Sequence, residues 1–331
     1  MVFQFPISID SIRNAATRIA PYIRPTPLDF SVFDSKRAGA SVYYKFENCQ
    51  RTGSFKIRGA LNKMLQLGPE AQKIGIIAAS AGNHAQGVGF AAKLLGIPAT
   101  IVVPKNTPQT KIDAIREFGV DLLIHGEIYD DAEAHARRLE RETGKIFVSA
   151  YNDYEVIAGQ GTLGLEIIEQ LPDIDFLVVP LSGGGLLAGV ALAVKSLRPT
   201  VKIYGIQSEA CPVMVESMRV GQIVDVPMQH SIAEGLHGGV EKGSVTFPML
   251  QRLIDGVLLV SEEEIKNAIR DLVSHHHQIA EGAGAVSVAA ILRYRDLFHG
   301  KQVVGVISGG NLDIHELQAV LCSQSGSQRA S

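Results

Sequence analysis

Short β-branched runs alternate with longer amphipathic stretches along most of the chain, which is the rhythm of strand–helix–strand units. Gly75-Ile76-Ile77-Ala78-Ala79 reads as a strand, followed by a helical stretch to Leu95 and a second strand at Ala99-Thr100-Ile101-Val102-Val103. A helix over 111–118, a strand over 121–125, a helix over 132–142 and a short strand at Phe147-Val148 repeat the pattern. These units predict a small parallel-sheet domain over 74–152. A second series runs through a helix at 161–170, a strand at 175–180, a glycine-rich turn at 182–185, a helix ending at Leu197 and a strand at 202–207. It continues with a strand at 256–260, helices at 262–274 and 284–294, and a strand at 302–307. The expected fold class is therefore α/β with two open parallel-sheet domains. The larger is discontinuous, built from 1–73 and 153–322, and the Ser/Gln-rich end over 323–331 is expected to be a flexible tail.

Composition narrows the function classes. With 331 residues, 46% hydrophobic and 20% charged, the chain can bury a sizeable interior, so a disordered or collagen-like protein is excluded. Thirty-one Lys+Arg against 34 Asp+Glu give a formal net charge of -3, and no bulk positive field draws in nucleic acid or anionic lipid. Cys49, Cys211 and Cys322 lie far apart with no C-x-x-C, so neither a disulfide framework nor a zinc cluster is expected. The start of the chain lacks a basic-then-apolar leader, and no apolar run approaches the roughly 18 residues that span a bilayer. The expected setting is the cytoplasm, with no membrane partner.

The glycine-rich turn supports two readings. Gly183, Gly185 and Ala188 fit G-x-G-x-x-A after an apolar strand, with Glu209 at the end of a following strand, the outline of a dinucleotide fingerprint. That reading makes the chain an NAD-dependent oxidoreductase. The other is a nest of backbone N–H groups at a helix N-terminus, which holds any phosphate. The glycines alone leave both open, beside the plain possibility of a tight turn.

Four segments in order carry more. The stretch Thr52-Gly53-Ser54-Phe55-Lys56-Ile57-Arg58-Gly59-Ala60 resembles the cofactor-lysine segment of the fold-type II pyridoxal-phosphate enzymes, in particular the threonine/serine dehydratases and serine racemases. Ser80-Ala81-Gly82-Asn83-His84 resembles the same family's substrate loop, and Ser182-Gly183-Gly184-Gly185-Leu186-Leu187 and Ser308-Gly309-Gly310-Asn311 match in order and approximate spacing. The resemblance covers nearly the whole chain and corresponds to a short form without a regulatory C-terminal domain.

The resemblance implies pyridoxal 5'-phosphate as cofactor and Lys56 as the catalytic residue. A lysine partly desolvated beside Phe55 loses basicity and becomes a nucleophile able to form an imine with an aldehyde. Phe55 is implied to pack on the cofactor, Asn83 to bond the ring oxygen, Ser308 to face the pyridine nitrogen, and the backbone of Gly183, Gly184, Gly185, Leu186 and Leu187 to balance the phosphate. A neutral hydroxyl at Ser308 makes the ring a weaker electron sink, which favours elimination over transamination. Ser80, Ala81, Gly82, Asn83 and His84 lie between a strand and a helix, where N–H groups and the positive helix end suit an amino-acid carboxylate. Ser80 can instead be an N-cap, and His84 reads first as structural. Gly235, after Glu234, and Glu281 match positions lining the pocket, or are parts of ordinary loops.

Two departures separate the family's branches. Where serine racemases carry a serine as acid/base opposite the lysine, this chain has Ala81, which can neither donate nor accept a proton. Gln207 and Val213 replace the two carboxylates that bind a divalent cation in racemase-like members, and Glu209 alone is a poor site, so no metal is expected. The run His275-His276-His277 points to different faces of a helix and is not expected to ligate. The implied reaction is elimination of water from L-threonine or L-serine to a 2-oxo acid and ammonia, in a homodimer or homotetramer. Serine racemisation, or dehydration of threo-3-hydroxyaspartate, phenylserine or a hydroxyectoine-derived substrate, are the alternatives.

Overall fold

The computed structural model describes residues 4–323. The chain opens with α1 (Ile9–Ile19), which Ser8 starts by accepting from the backbone N–H groups of Asp10 and Ser11. β1 (Leu28–Phe30), α2 (Val32–Ala38) and β2 (Ser41–Phe46) follow, then α3 (Lys56–Met64) and α4 (Glu70–Ile74). The next stretch alternates β3 (Ile76–Ala79), α5 (Asn83–Leu95), β4 (Ala99–Val103), α6 (Gln109–Arg116), β5 (Asp121–Ile124), α7 (Tyr129–Thr143) and β6 (Ile146–Phe147). The remainder runs α8 (Tyr154–Gln170), β7 (Phe176–Pro180), α9 (Gly185–Leu197), β8 (Lys202–Ser208), α10 (Val213–Val220), α11 (Thr246–Leu253) and β9 (Gly256–Val260). It ends with α12 (Glu262–His276), α13 (Gly282–Arg293), α14 (Arg295–Phe298), β10 (Gln302–Ile307) and α15 (Ile314–Cys322). Residues 324–331 of the expected tail lie outside the described residues.

Two sheets result. The larger has six strands in the order β1-β2-β10-β7-β8-β9, and the smaller has four in the order β5-β4-β3-β6. Pairing is parallel throughout except at the edge, where β1 runs antiparallel to β2. Alternation along β10 sends Val304 and Val306 into a core shared with α1, α8, α9 and α11, and Val303 and Ile307 into a second core under α12 and α13. In the small sheet, Ile76, Ala78, Ile101 and Val103 face α5, while Ile77, Ala79 and Val102 face α7.

The opening segment divides between the two sheets. β1 and β2 join the six-stranded sheet, yet Ile57, Ala60, Leu61 and Met64 of α3 lie in the core of the four-stranded one. α3 packs on both α5 and α8 and so bridges the two sheets' layers. Asp153 starts α8 by accepting from the backbone N–H groups of Glu155 and Val156, well before the helix expected at 161.

Strand order locates the clefts. From β7 the chain proceeds outward through β8 and β9 and then returns as β10 on the other side of β7. Likewise β3, β4 and β5 proceed one way and β6 pairs on the opposite edge of β3. At such reversals the loops leaving adjacent strands part, opening a crevice at the C-terminal ends of parallel strands. Residues 181–185 and 308–310 leave one reversal, and 80–84 and 148–151 leave the other.

Candidate active site

Backbone bonds tie the lysine segment to the loop after β10. Phe55 N–H donates to Ser308 O at 3.1 Å, Gly310 N–H donates to Gly53 O at 2.9 Å, and Ser54 and Gly309 form a β-bridge. Lys56 thus starts α3 at the seam between the two sheets. Its Nζ donates to the carbonyl of Ala150 at 3.0 Å and lies 5.3 Å from the centre of the Phe55 ring. Burial lowers its pKa to about 8, against a smaller upward pull from the Glu281 carboxylate.

The loop after β3 enters from the other sheet. Asn83, the first residue of α5, donates from Nδ2 to Glu281 Oε1 at 2.5 Å and accepts at Oδ1 from Asn311 Nδ2 at 2.6 Å. Burial raises Glu281 to about 7, with the Asn83 bond and the charge of Lys111 opposing. Ser80 Oγ accepts from Gly82 N–H at 3.1 Å and so shapes the turn. His84 is buried with Nε2 2.8 Å from Val148 O, and desolvation followed by the Lys56 charge lowers it to about 3, leaving the ring neutral. Its side chain is enclosed at the start of α5, and Ala81 packs against the small-sheet core.

Gly184 has φ +88, the conformation that turns β7 into α9 and that a side chain would strain. Gly183 lies under the ring of Tyr151, where an added Cβ would stand 2.5 Å from Cγ. The N–H groups of Gly185, Leu186 and Leu187 belong to the first turn of α9, where an α-helix has no internal acceptors for them. Tyr151 is held in turn by accepting at its hydroxyl from Glu241 N–H at 2.9 Å. Ser308 is buried, with Oγ 3.4 Å from Ala283 O, and Gly235 faces Ala283 and Glu281.

Sequence reasoning did not single out Tyr151, the Ala150 carbonyl or the side chain of Asn311. Only the Asp153 cap shortly afterwards hints that 150–152 forms a turn at the end of a crevice. Other sequence features have local roles instead. Glu209 Oε1 pairs with Arg293 at 2.6 Å in a partly exposed ion pair. Gln207 Oε1 accepts from Met214 and Val215 N–H at 3.0 Å each, capping α10. His275 stacks on Phe33, His276 bonds Asp34 at 3.0 Å, and His277 ends α12 with φ 54.

A family model described as "Pyridoxal-phosphate dependent enzyme" matches residues 19–309. The chain belongs to that family. It is 45% identical over 316 residues to the L-threonine ammonia-lyase of Thermotoga maritima, covering 95% of this chain and 78% of that protein. It is 39% identical over 322 residues to the catabolic L-threonine dehydratase TdcB of Escherichia coli K12, covering 97% and 98%. Among solved structures, maize serine racemase aligns with a TM-score of 0.91 at 35% identity, covering 96% of this chain and 97% of that one. A threonine deaminase from T.th. aligns with a TM-score of 0.86 at 38% identity, covering 93% and 99%. Membership makes the cofactor pyridoxal phosphate, and the NAD-dependent alternative is withdrawn.

Proposed function

We propose that the chain eliminates water from L-threonine and L-serine, giving a 2-oxo acid and ammonia. The observation that supports this reading best is the buried Lys56 amine, with its lowered basicity, on a segment bonded to the 308–310 loop and donating to the Ala150 carbonyl. The names of the threonine ammonia-lyase and dehydratase relatives support the substrate class.

The residues present fit the cofactor. The first turn of α9 offers unshared N–H groups to a phosphate, and the buried hydroxyls of Ser54 and Thr52 lack a protein partner beside the lysine. We assign Gly183, Gly184, Gly185, Leu186 and Leu187 to the phosphate, Phe55 to a ring face, Asn83 to the ring oxygen and Ser308 to the ring nitrogen. When bound, pyridoxal phosphate supplies an aldehyde carbon for amine attachment and a ring that takes up negative charge from Cα.

Lys56 then acts as the base that moves the proton at Cα of the substrate, for which a pKa near neutrality is the useful value. The loop 80–84 and the N-terminus of α5 hold the α-carboxylate through backbone N–H groups. Glu281 orients Asn83. Ala81 offers no proton to the face opposite Lys56, which favours elimination over racemisation. One water leaves and one is consumed, so hydroxy amino acid becomes 2-oxo acid plus ammonia. A homo-oligomer working in the cytoplasm completes the reading; no helix among the described residues is long and apolar enough to cross a membrane.

Borohydride reduction of the cofactor-loaded protein followed by peptide mapping tests the assignment. The pyridoxyl label is expected on Lys56, and Lys56→Ala should lose the label and about 10³-fold of the ammonia release from L-threonine. A label on another lysine, or full activity in the variant, overturns it.

A further inference from the structure

Lys111, in the first turn of α6, forms an ion pair with Glu234 of the short turn Glu234–Leu236, joining the two sheets' layers across the cleft. Beside it Thr110 Oγ1 donates to Asp313 Oδ2 at 3.0 Å. Gly235, next to Glu234, borders Ala283, and a Cβ there would stand 4.0 Å from Glu281 Oε1. After burial and the Asn83 bond, the charges of Lys111, Glu234 and Glu316 also act on the Glu281 carboxyl. Burial and the neighbouring charges of Glu234 and Asp313 also push the Glu316 carboxyl up, with Lys111 and His230 nearby. Glu234, Asp313, Glu316 and Glu281 therefore lie on one side of the cleft, facing Lys111 on the other, and that lysine is already paired with Glu234.

Resting on the reading of the chain as a hydroxy-amino-acid ammonia-lyase, we propose that Glu234, by occupying Lys111, is a specificity residue that excludes amino acids bearing a second carboxylate. A neutral β-hydroxyl or methyl passes this side without electrostatic cost. A side-chain carboxylate would leave water to face like charges beside a lysine that is already neutralised. Discrimination of this kind comes from the repulsive element as much as from attraction to the favoured substrate. Removing the charge of Glu234 weakens the repulsion and frees Lys111 to receive the acid.

The test uses the cofactor-loaded enzyme and two readouts. The first is kcat/KM for L-threo-3-hydroxyaspartate relative to L-serine. The second is the inhibition constant of L-aspartate relative to L-alanine, neither of which carries a leaving group, so it reports binding alone. Glu234→Gln is expected to shift both ratios toward the dicarboxylate by about tenfold or more, and Glu234→Gln combined with Lys111→Gln should lose most of that gain. Glu234 is 59% exposed on its side chain, so the substitution leaves the fold intact, which an unchanged Tm verifies. Unchanged ratios in the single variant, or an equal gain in the double variant, overturn the filter. Absence of ammonia release from every hydroxy amino acid in the parent protein overturns the elimination reading instead, and the aspartate-to-alanine ratio then decides the filter alone.

Discussion

Glu281 concentrates the residue-scale physics of the site. Its carboxyl is buried and its pKa raised to about 7, whereas an exposed glutamate titrates near 4.5. The folded protein thus keeps the proton more tightly than the unfolded chain does. The stability this contributes is present in full below about pH 4.5 and is lost as pH rises through about 7. Glu281→Gln removes the titration while keeping an oxygen for Asn83. In thermal melts of the cofactor-free protein, the variant should gain Tm relative to the parent at pH 8, by about 2–4 °C more than at pH 5. An equal shift at both values would mean that the carboxyl titrates alike in the folded and unfolded chains. Lys56 and Asn83 stand out in the sequence because their neighbours repeat a known pattern. Tyr151 does not, because its role comes from a close approach to Gly183, which no local pattern records.

At the scale of elements, α3 positions the lysine and is itself fixed by a buried ionic network. Arg58 donates from Nε and Nη2 to Glu47 at 2.7 and 2.8 Å and from Nη1 to Glu166 at 2.6 Å, and Glu166 also accepts from Lys45 at 2.8 Å. The four charges cancel. They join β2, the turn after it, α3 and α8. The two helices also touch backbone to backbone: a Cβ at Gly159 would stand 2.5 Å from Arg58 O. Arg58→Met leaves Glu47 buried without its charge partner. It should cost about 3–5 kcal/mol, read as a lowered urea midpoint at unchanged slope; a loss below about 1 kcal/mol would show that the network is solvated or rearranges. The same residues explain why the opening segment is hard to read. β3 to β10 follow apolar runs in clear alternation with helices, but β2 buries Lys45 and α3 buries Arg58 and Asn62. Polar residues satisfied by distant partners erase the periodicity that marks a buried face. α1 offers a signal in Ser8, whose cap is visible in the sequence only once the helix is suspected.

At the scale of the whole molecule, the two sheets differ in how far apart in sequence their partners lie. Every strand of the four-stranded sheet falls within 76–147, with Ile76 beside Ala99 and Thr100 beside Asp121. The six-stranded sheet closes only when Val42 meets Val303, so its centre waits for nearly the entire chain. Closing the longer loop costs more entropy before any pairing repays it, and distant pairings form more slowly. In pulse-labelled hydrogen exchange during refolding, amides of β3 and β4 should be protected before those of β2 and β10. The apolar face of α3 belongs to the early core, yet Phe55 and Gly53 gain their bonds to Ser308 and Gly310 only when β10 arrives. Cofactor binding, followed by its visible absorption in the same experiment, should therefore appear with the slow phase, although Lys56 is already on a formed helix. Simultaneous protection of both sheets, or cofactor binding in the fast phase, would show that the docking of α3 on α8 couples the two layers from the start and that the lysine site does not depend on the last strand.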